Sequence, residues 1–192
     1  MTAPSPAEAR AWLDEAERRQ GALALGRDGG PAQPALAERA GLAGVAAKFL
    51  AVGTPRTMGL VGLGDDAAAV VATQRAYAAP RELRVFDHDP AVAERTAAAV
   101  GGRVASLTEA CACDVVVARG PVTIERAWIR GGTLVTALDG DVACAPALLA
   151  AALVYTTGPI AGVTPTASLG AVAAGLVDGR TLDEITICLL AP

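Results

Sequence analysis

The sequence predicts an α/β fold: a doubly wound, mostly parallel sheet of the Rossmann type with an N-terminal helical appendage. From Thr57 onward, short apolar strands alternate with Ala-rich helical segments, and strands separated by one helix each are typical of parallel βαβ units. Hydrophobic residues make up 53% of the 192 residues and aromatic residues only 3%. The core must therefore consist of Ala, Val and Leu, which is usual for a parallel sheet covered by helices on both faces.

Two parts are expected along the chain, an appendage over residues 1–34 and the Rossmann-type domain over residues 35–192. A Ser-Pro pair and an acidic first turn mark the start of an amphipathic helix over 5–19. The Gly/Pro-rich segment GRDGGPAQPA follows as a linker. A helix of small residues over 35–51 then leads into the domain, and we call it the leading helix.

Strands and helices alternate through the rest of the domain. In chain order the first half reads as the strand MGLVG, a helix over 66–78, the strand LRVFD, a helix over 90–100, the strand GRVA, a short helix over 107–112, the strand DVVVA and a helix at TIERAWI. The second half reads as the strands TLVTA and ALVYT, a helix over 166–177 and a last strand EITICLL. This order predicts the doubly wound sheet.

Charge and targeting signals limit the partners and the compartment. The net charge is −4 and no basic cluster is present, which argues against binding to nucleic acid or to an anionic membrane surface. The N-terminus lacks a basic segment followed by an apolar one, and the four cysteines have no paired spacing. We therefore expect a cytoplasmic protein.

Residues 142–177 contain no charged side chain. Proline and glycine break this stretch well short of the roughly 20 apolar residues that a membrane-spanning helix needs. These residues are Pro146, Gly158, Pro159, Gly162, Pro165 and Gly170. The stretch is expected to be either an element buried on both faces or an oligomer interface, because long charge-free surface is rarely left in water.

The segment MGLVGLGDDAAAV contains a Gly-x-Gly-x-x-Ala fingerprint formed by Gly62, Gly64 and Ala67. It follows a predicted strand and precedes a predicted helix, which is the context that a dinucleotide-binding turn requires. The first glycine permits the tight turn, and the second lets the backbone approach a diphosphate. The small Ala67 lets helix and strand pack closely. We expect these residues to contact a dinucleotide cofactor.

Asp87 supplies the second half of this fingerprint. It ends the predicted strand LRVFD, 20 residues after Ala67. A carboxylate at this place accepts both hydrogen bonds from an adenosine ribose, which favours NAD over NADP, whose additional phosphate would meet the negative charge. The alternative is an ordinary glycine turn and an acid that merely ends a strand, but context, spacing and acid together favour the dinucleotide site.

Asp65 and Asp66 leave the occupancy of this site open. The amino end of a helix offers roughly half a positive charge to an anion. Two aspartates here could cap the same amide groups and take the place of the diphosphate. The sequence is therefore compatible both with bound NAD and with a turn that binds no cofactor.

Two long segments of the chain resemble the ornithine cyclodeaminase/μ-crystallin family, which also includes archaeal-type alanine dehydrogenases and imine reductases. AAKFLAVGTPRTMGLVGLGDDA resembles, without a gap, the family's leading helix, linker and first strand with its nucleotide turn. SLGAVAAGLVDGRTLDEITIC resembles the late helix, the Gly-Arg turn and the closing strand. The resemblance covers roughly residues 38–190.

The resemblance implies that the Rossmann domain binds NAD(P)(H) and that a second domain places an amino acid or imine against the nicotinamide. GGTLVTALDGD resembles the segment that leads to the family's catalytic aspartate, which puts that role on Asp141, where it would act as a general acid or base. The alternative for Asp141 is a solvated acid in a turn. Asp66 takes the position of the Gln or Glu in the family's nucleotide turn, which places it among the residues expected to contact the cofactor.

Several family positions are not matched. The substrate-contacting lysine has no counterpart, since the only lysine is Lys48, inside the leading helix. The arginine that binds the substrate carboxylate falls on Glu38, and Arg39 lies one place late, a turn of roughly 100° around a helix. The loop after DVVVA, which usually meets the cofactor, is shortened to RGPV. The segment before the leading helix is short and the chain ends after its last strand, so we expect the substrate domain to be missing.

No metal site is expected. Cys111 and Cys113 are close in sequence, but the chain has one histidine, His88, and no second cysteine pair. The two cysteines are better explained as small apolar residues before a buried strand. His88 either contacts an adenosine or is an exposed polar group at the end of a strand.

Two functions remain open. In the first, the chain is a shortened NAD(H)-binding oxidoreductase or deaminating cyclase that acts on an amino acid or imine, as a homo-oligomer or completed by a partner chain that supplies the lysine. In the second, it is a non-catalytic Rossmann module, a nucleotide-sensing or structural subunit. The glycine turn, Asp87 and Asp141 favour the first function, and the lone lysine, Glu38 and the aspartate pair favour the second.

Overall fold

The computed structural model describes residues 3–26, 35–179 and 182–191. Most of the predicted linker, residues 27–34, and Arg180 of the Gly-Arg turn lie outside the described residues. The helices are α1 (Pro6–Ala24), α2 (Ala35–Leu50), α3 (Ala67–Tyr77), α4 (Pro90–Val100), α5 (Leu107–Cys111), α6 (Pro146–Leu149) and α7 (Leu169–Ala173). The strands are β1 (Thr57–Val61), β2 (Glu82–Phe86), β3 (Arg103–Val104), β4 (Val115–Ala118), β5 (Val122–Ile124), β6 (Leu134–Ala137), β7 (Val142–Cys144), β8 (Ala152–Thr156), β9 (Ala167–Ser168) and β10 (Ile185–Leu189).

Eight of these strands form one parallel sheet in the order β3-β2-β1-β4-β6-β10-β8-β9. The chain builds outward from β1 in one direction through β2 and β3, and then returns to the other side of β1 with β4. This reversal between β1 and β4 is the topological switch point, where ligands of doubly wound sheets bind. The predicted fold class, with its N-terminal helix, is confirmed.

Alternate residues of the central strands point to opposite faces of the sheet, and both faces are buried. In β4, Val115 and Val117 belong to the core on one side, while Val116 and Ala118 belong to the core on the other. The helices α2, α3, α4 and α7 contribute to the first core, and α5 and α6 contribute to the second. Because neither face meets water, the strands are continuous apolar runs rather than alternating ones.

Helix α1 begins with a capping box in which Ser5 and Glu8 bond each other's backbone amides. It extends to Ala24, five residues beyond the predicted end at residue 19. It packs against α2, α3 and α7, and its Leu13 is 1% exposed within the first core. The appendage therefore forms an outer layer over the helices that cover one face of the sheet.

Glycines allow the close approach of α1. A Cβ atom on Gly41 of α2 would lie 2.7 Å from the carbonyl oxygen of Trp12, and one on Gly170 of α7 would lie 2.4 Å from that of Gln20. Real Cβ atoms essentially never come that close to a backbone atom. The contact of α1 with these two helices thus depends on glycine at both positions.

The helix predicted at TIERAWI is wrong. Val122–Ile124 form β5, which pairs in parallel with β7, and a 3₁₀ turn at Arg126–Trp128 follows. The β-branched residues of β5 favour a strand, and Ile124 and Ile129 are buried in the second core. The helix predicted over 166–177 is shorter than expected, because Ala167–Ser168 form the edge strand β9 and Ser168 caps a helix of five residues.

The charge-free stretch is buried only in part. Within it β8 lies between β10 and β9, and Val154, Tyr155 and Thr156 are buried. By contrast, the loop over 158–166 is mostly exposed. No helix among the described residues is both long and apolar enough to cross a membrane.

We predict that Gly41→Ala and Gly170→Ala each lower the free energy of unfolding by about 1–3 kcal/mol, because the added methyl group overpacks the contact with α1. Gly21→Ala is the matched control, since it lies in α1 with no atom within 4 Å of its Cβ position. This control is expected to raise stability by about 0.5–1 kcal/mol. Urea unfolding followed by circular dichroism measures all three variants, and equal effects at the three glycines would contradict the packing.

Candidate functional site

The fingerprint glycines form the turn between β1 and α3, at the carboxyl edge of the sheet. Gly62 and Gly64 have φ angles of 65° and 48°, which side chains other than glycine rarely adopt. A Cβ atom on Gly62 would lie 2.3 Å from the carbonyl oxygen of Arg119. Over Gly64 there is open space, since only Val92 comes within 4 Å of the Cβ position, at 3.9 Å. The second glycine thus exposes backbone that a ligand can approach.

Asp66 lies between this turn and α3. A 3₁₀ turn at Gly64–Asp66 runs directly into the helix, and Asp66 already has helical angles, with φ −73° and ψ −20°. Capping residues normally have extended backbone, and the Asp66 side chain makes no capping hydrogen bond. The alternative in which Asp66 occupies the amide groups of α3 is therefore not what the structure shows.

Instead, two arginines hold the Asp66 carboxylate. Arg39, in the first turns of α2, donates to Asp66 Oδ2 from Nη2 at 2.8 Å and from Nε at 3.2 Å. Arg119, which follows β4, donates to the same oxygen from Nη1 at 3.0 Å. The Asp66 side chain is only 9% exposed. A buried carboxylate of this kind needs such partners, because desolvation of an unpaired charge is costly.

The ion pairs continue to β6. Arg119 Nε lies 3.5 Å from Asp139 Oδ2, and the backbone N–H of Gly120 donates to both carboxylate oxygens of Asp139 at 3.2 Å. Arg39, Asp66, Arg119 and Asp139 thus form a row of alternating charges, which we call the ion-pair row. It runs along the carboxyl ends of β1, β4 and β6, directly at the topological switch point.

Asp141, predicted as the general acid or base, lies in the turn between β6 and β7. It is exposed, and its backbone N–H donates to Asp139 Oδ1 at 3.2 Å. Asp141 is therefore at the same edge of the sheet as the glycine turn, next to the end of the ion-pair row. Its catalytic role stays a prediction.

Asp87 follows β2, the neighbour of β1. It is half-buried, and its Oδ1 accepts a hydrogen bond from the backbone of Asp89 at 3.1 Å. His88 Nε2 lies 3.2 Å from the carbonyl oxygen of Pro121, in the loop after β4, and its ring packs edge-on against Phe86. Asp87 and the glycine turn thus lie at adjacent strand ends, as a dinucleotide-binding site requires.

A dinucleotide fits this arrangement. The backbone over Gly64 is open, the first amides of α3 are not capped by Asp66, and Asp87 lies at the end of the strand next to the turn. The negative charge of Asp66, which a diphosphate would oppose, is offset by two arginines. The residues that would hold a dinucleotide are therefore Gly62, Gly64 and Asp87, with Ala67 beginning the helix beside them.

Three of the four cysteines are buried, and Cys144 is half-buried. Burial raises the pKa of Cys111 and of Cys188 to about 12 and that of Cys144 to about 11, and it also raises the pKa of Cys113. Among the described residues, no group of three or more Cys, His, Asp or Glu side chains is arranged to hold a metal ion. Cys111 and Cys113 instead belong to the second core, where the chain passes from α5 to β4.

Comparison with known families agrees with this geometry. The sequence model of the ornithine cyclodeaminase/mu-crystallin family matches residues 36–189. The chain belongs to this family. The match covers the whole sheet together with α2, so the glycine turn, the ion-pair row and Asp141 all lie inside it. No curated protein sequence matches the chain at a significant level.

Solved structures of similar fold include three that cover most of this chain. An archaeal alanine dehydrogenase dimer with bound NAD is 24% identical, with a TM-score of 0.70. The Thermococcus litoralis Δ1-pyrroline-2-carboxylate reductase in complex with NADH and L-proline is 19% identical, with a TM-score of 0.71. A lysine cyclodeaminase is 21% identical, with a TM-score of 0.68. The matches cover 80%, 82% and 82% of this chain but only 57%, 59% and 54% of those chains.

Sequence reasoning missed the role of two arginines. In the sequence, Arg39 lies one place after the family's arginine position, and Arg119 is only the first residue of a shortened loop. In the structure both reach Asp66, from 27 and 53 residues away in the sequence. No local pattern signals such a contact, because it forms only when α2 and β4 are placed beside the turn.

We predict that Cys111 and Cys188 do not react with a thiol reagent at neutral pH until the protein unfolds, because their raised pKa keeps both thiols protonated and both are buried. The same shift makes stability fall with alkaline pH. Unfolded thiols ionise near pH 8.5, whereas the folded ones stay protonated to about pH 12, so the unfolded state binds fewer protons in this window.

Urea unfolding at pH 7 and pH 10 measures this loss of stability, and Cys188→Ala is expected to reduce it. Rapid labelling of the native protein at either buried thiol would contradict the burial.

Proposed function

We propose that the chain is an NAD(H)-binding member of the ornithine cyclodeaminase/mu-crystallin family. The observation that carries the proposal is the turn of Gly62 and Gly64 at the topological switch point, with open space over the second glycine. This space lies beside the amino end of α3, and the amino end of a helix favours an anion. Structural relatives with bound NAD or NADH support the choice of cofactor.

Asp87 supports NAD rather than NADP. Its carboxylate lies at the end of β2, beside the turn, where the ribose of an adenosine is held in such folds. A 2′-phosphate would be repelled by this charge. When bound, a nicotinamide dinucleotide supplies a hydride acceptor or donor, and the residues of this chain bind and orient it.

The reaction that this cofactor serves is an oxidation, reduction or deaminating cyclisation of an amino acid or imine. Relatives described as an alanine dehydrogenase, a pyrroline-carboxylate reductase and a lysine cyclodeaminase support this class. Asp141 is the candidate to hold or move a proton, because it is exposed at the same edge as the turn. The chain spans little more than half the length of these relatives. The relative described as an alanine dehydrogenase dimer supports a second copy or a partner chain as a contributor to the substrate pocket, and we propose the cytoplasm as the compartment.

A second function is favoured by one observation. The only lysine, Lys48, lies in α2 and pairs with Glu17 of α1, away from the carboxyl edge of the sheet. It is therefore not placed to contact a substrate at the turn. This supports a non-catalytic module that binds a nucleotide as a sensing or structural subunit.

We predict that the purified chain binds NADH with a roughly micromolar Kd and binds NADPH more weakly. Asp87→Ala is expected to weaken NADH binding about 10-fold to 100-fold, since two hydrogen bonds to a charged group are lost. Glu94→Ala, an exposed acid on α4, is the matched control and should leave affinity unchanged. Calorimetry and energy transfer from tryptophan to the nicotinamide measure both. Absence of NADH binding, or equal binding by wild type and Asp87→Ala, would contradict the assignment.

The two proposed functions differ in whether the chain and its partner catalyse hydride transfer from NADH. If the chain is an enzyme completed by a partner, hydride transfer between NADH and a cyclic imine is expected in the complex and should fall about 100-fold or more with Asp141→Asn. If it is a module, NADH binds but no such turnover appears with any partner that co-purifies. Stopped-flow absorbance of NADH distinguishes the two results.

A further inference from the structure

Asp66 places a negative charge beside the turn at which the proposed function needs a diphosphate to bind. The carboxylate lies immediately before α3, and its side chain is only 9% exposed. Its charge is therefore poorly screened by water. A dinucleotide could bind at this turn only if that charge were offset by other groups.

Arg39 and Arg119 provide the offset. Both donate hydrogen bonds to the same oxygen of Asp66, at 2.8 Å and 3.0 Å for their shortest contacts. They come from different elements, one from α2 and one from the end of β4. Because charge-assisted contacts of this kind fix the carboxylate in place, Asp66 is held away from the open space over Gly64.

We infer that Arg39 and Arg119 are positioning residues of the dinucleotide site, which neutralise Asp66 so that the Gly62–Gly64 turn can accept a diphosphate. This inference rests on the proposed function. It assigns a role to two arginines that need not touch the cofactor themselves, since they act through Asp66.

The two arginines are not equivalent. Arg39 neutralises Asp66 alone, whereas Arg119 also contacts Asp139 at 3.5 Å. Loss of Arg119 therefore removes a positive charge from beside two carboxylates, Asp66 and Asp139. Loss of Arg39 removes one from beside Asp66 alone. This difference predicts an order of effects that a simple loss of packing would not produce.

The test is a mutant cycle read as NADH affinity by calorimetry. Arg39→Gln is expected to weaken binding about 10-fold and Arg119→Gln about 30-fold, in the range of coupling energies between neighbouring charges. Asp66→Asn alone is expected to strengthen binding about threefold, because both arginines then face the diphosphate with no opposing charge between them. Gln removes the positive charge of each arginine and keeps only two N–H donors in place of five, so these variants remove both the charge and part of the hydrogen bonding to Asp66.

Rescue separates the charge effect from a structural one. Adding Asp66→Asn to Arg39→Gln is expected to restore affinity nearly to that of wild type, while adding it to Arg119→Gln restores it only in part because Asp139 remains. Glu94→Gln is the charge control, since it removes the same charge from an exposed residue of α4 outside the ion-pair row, and it should rescue neither variant. Arg130→Gln, before β6 at the opposite edge of the sheet, should leave affinity unchanged.

Thermal unfolding of each variant without ligand shows whether it folds. An affinity loss that parallels the loss of Tm and that Asp66→Asn does not rescue would overturn the inference. So would arginine variants that bind NADH as tightly as wild type, and in that case the proposed function stands.

If wild type binds no NADH but Asp66→Asn does, the arginines fail to neutralise Asp66 and the inference fails while the turn keeps its role. If neither binds, both the inference and the proposed function fail.

Discussion

The buried carboxylate of Asp66 is the constraint on which the carboxyl edge of this sheet depends. A charge removed from water at the start of α3 requires partners, and the fold supplies them from α2 and from the loop after β4. Through Arg119 the same row of charges reaches Asp139 and hence the end of β6. The turn, the leading helix and two neighbouring strands are therefore held in one arrangement, and the backbone at Gly64 is open to a ligand beside them.

The rest of the fold determines where the residues at the carboxyl edge of the sheet lie. A parallel sheet buried on both faces brings the carboxyl ends of β1, β2, β4 and β6 side by side, so residues far apart in sequence surround one crevice. Helix α1 covers the outer side of α2 through close contacts at glycine, which fixes the helix that carries Arg39. Packing of α1 at Gly41 is thus linked to the ion pair of Arg39, two residues earlier in the same helix.

Much of this architecture could be predicted from the sequence, because its signals are local. The glycine turn, the strand before it and Asp87 form a fixed pattern along the chain, and the structure has them at adjacent strand ends. The helix predicted at TIERAWI is wrong because its first two residues belong to β5, whose partner β7 is 20 residues away, and pairing with β7 decides the state of this segment. The ion-pair row could not be predicted for the same reason. A charged residue in a sequence does not reveal its partner when the contact depends on how helices and strands pack.

The most direct test of this account is a crystal structure of the chain grown with NADH. The account predicts the diphosphate over the Gly62–Gly64 turn, the adenosine ribose on Asp87, and Arg39 and Arg119 still paired with Asp66. A dinucleotide bound elsewhere would contradict the site. Arginines that leave Asp66 to bind the diphosphate directly would contradict the claim that they act by neutralising it.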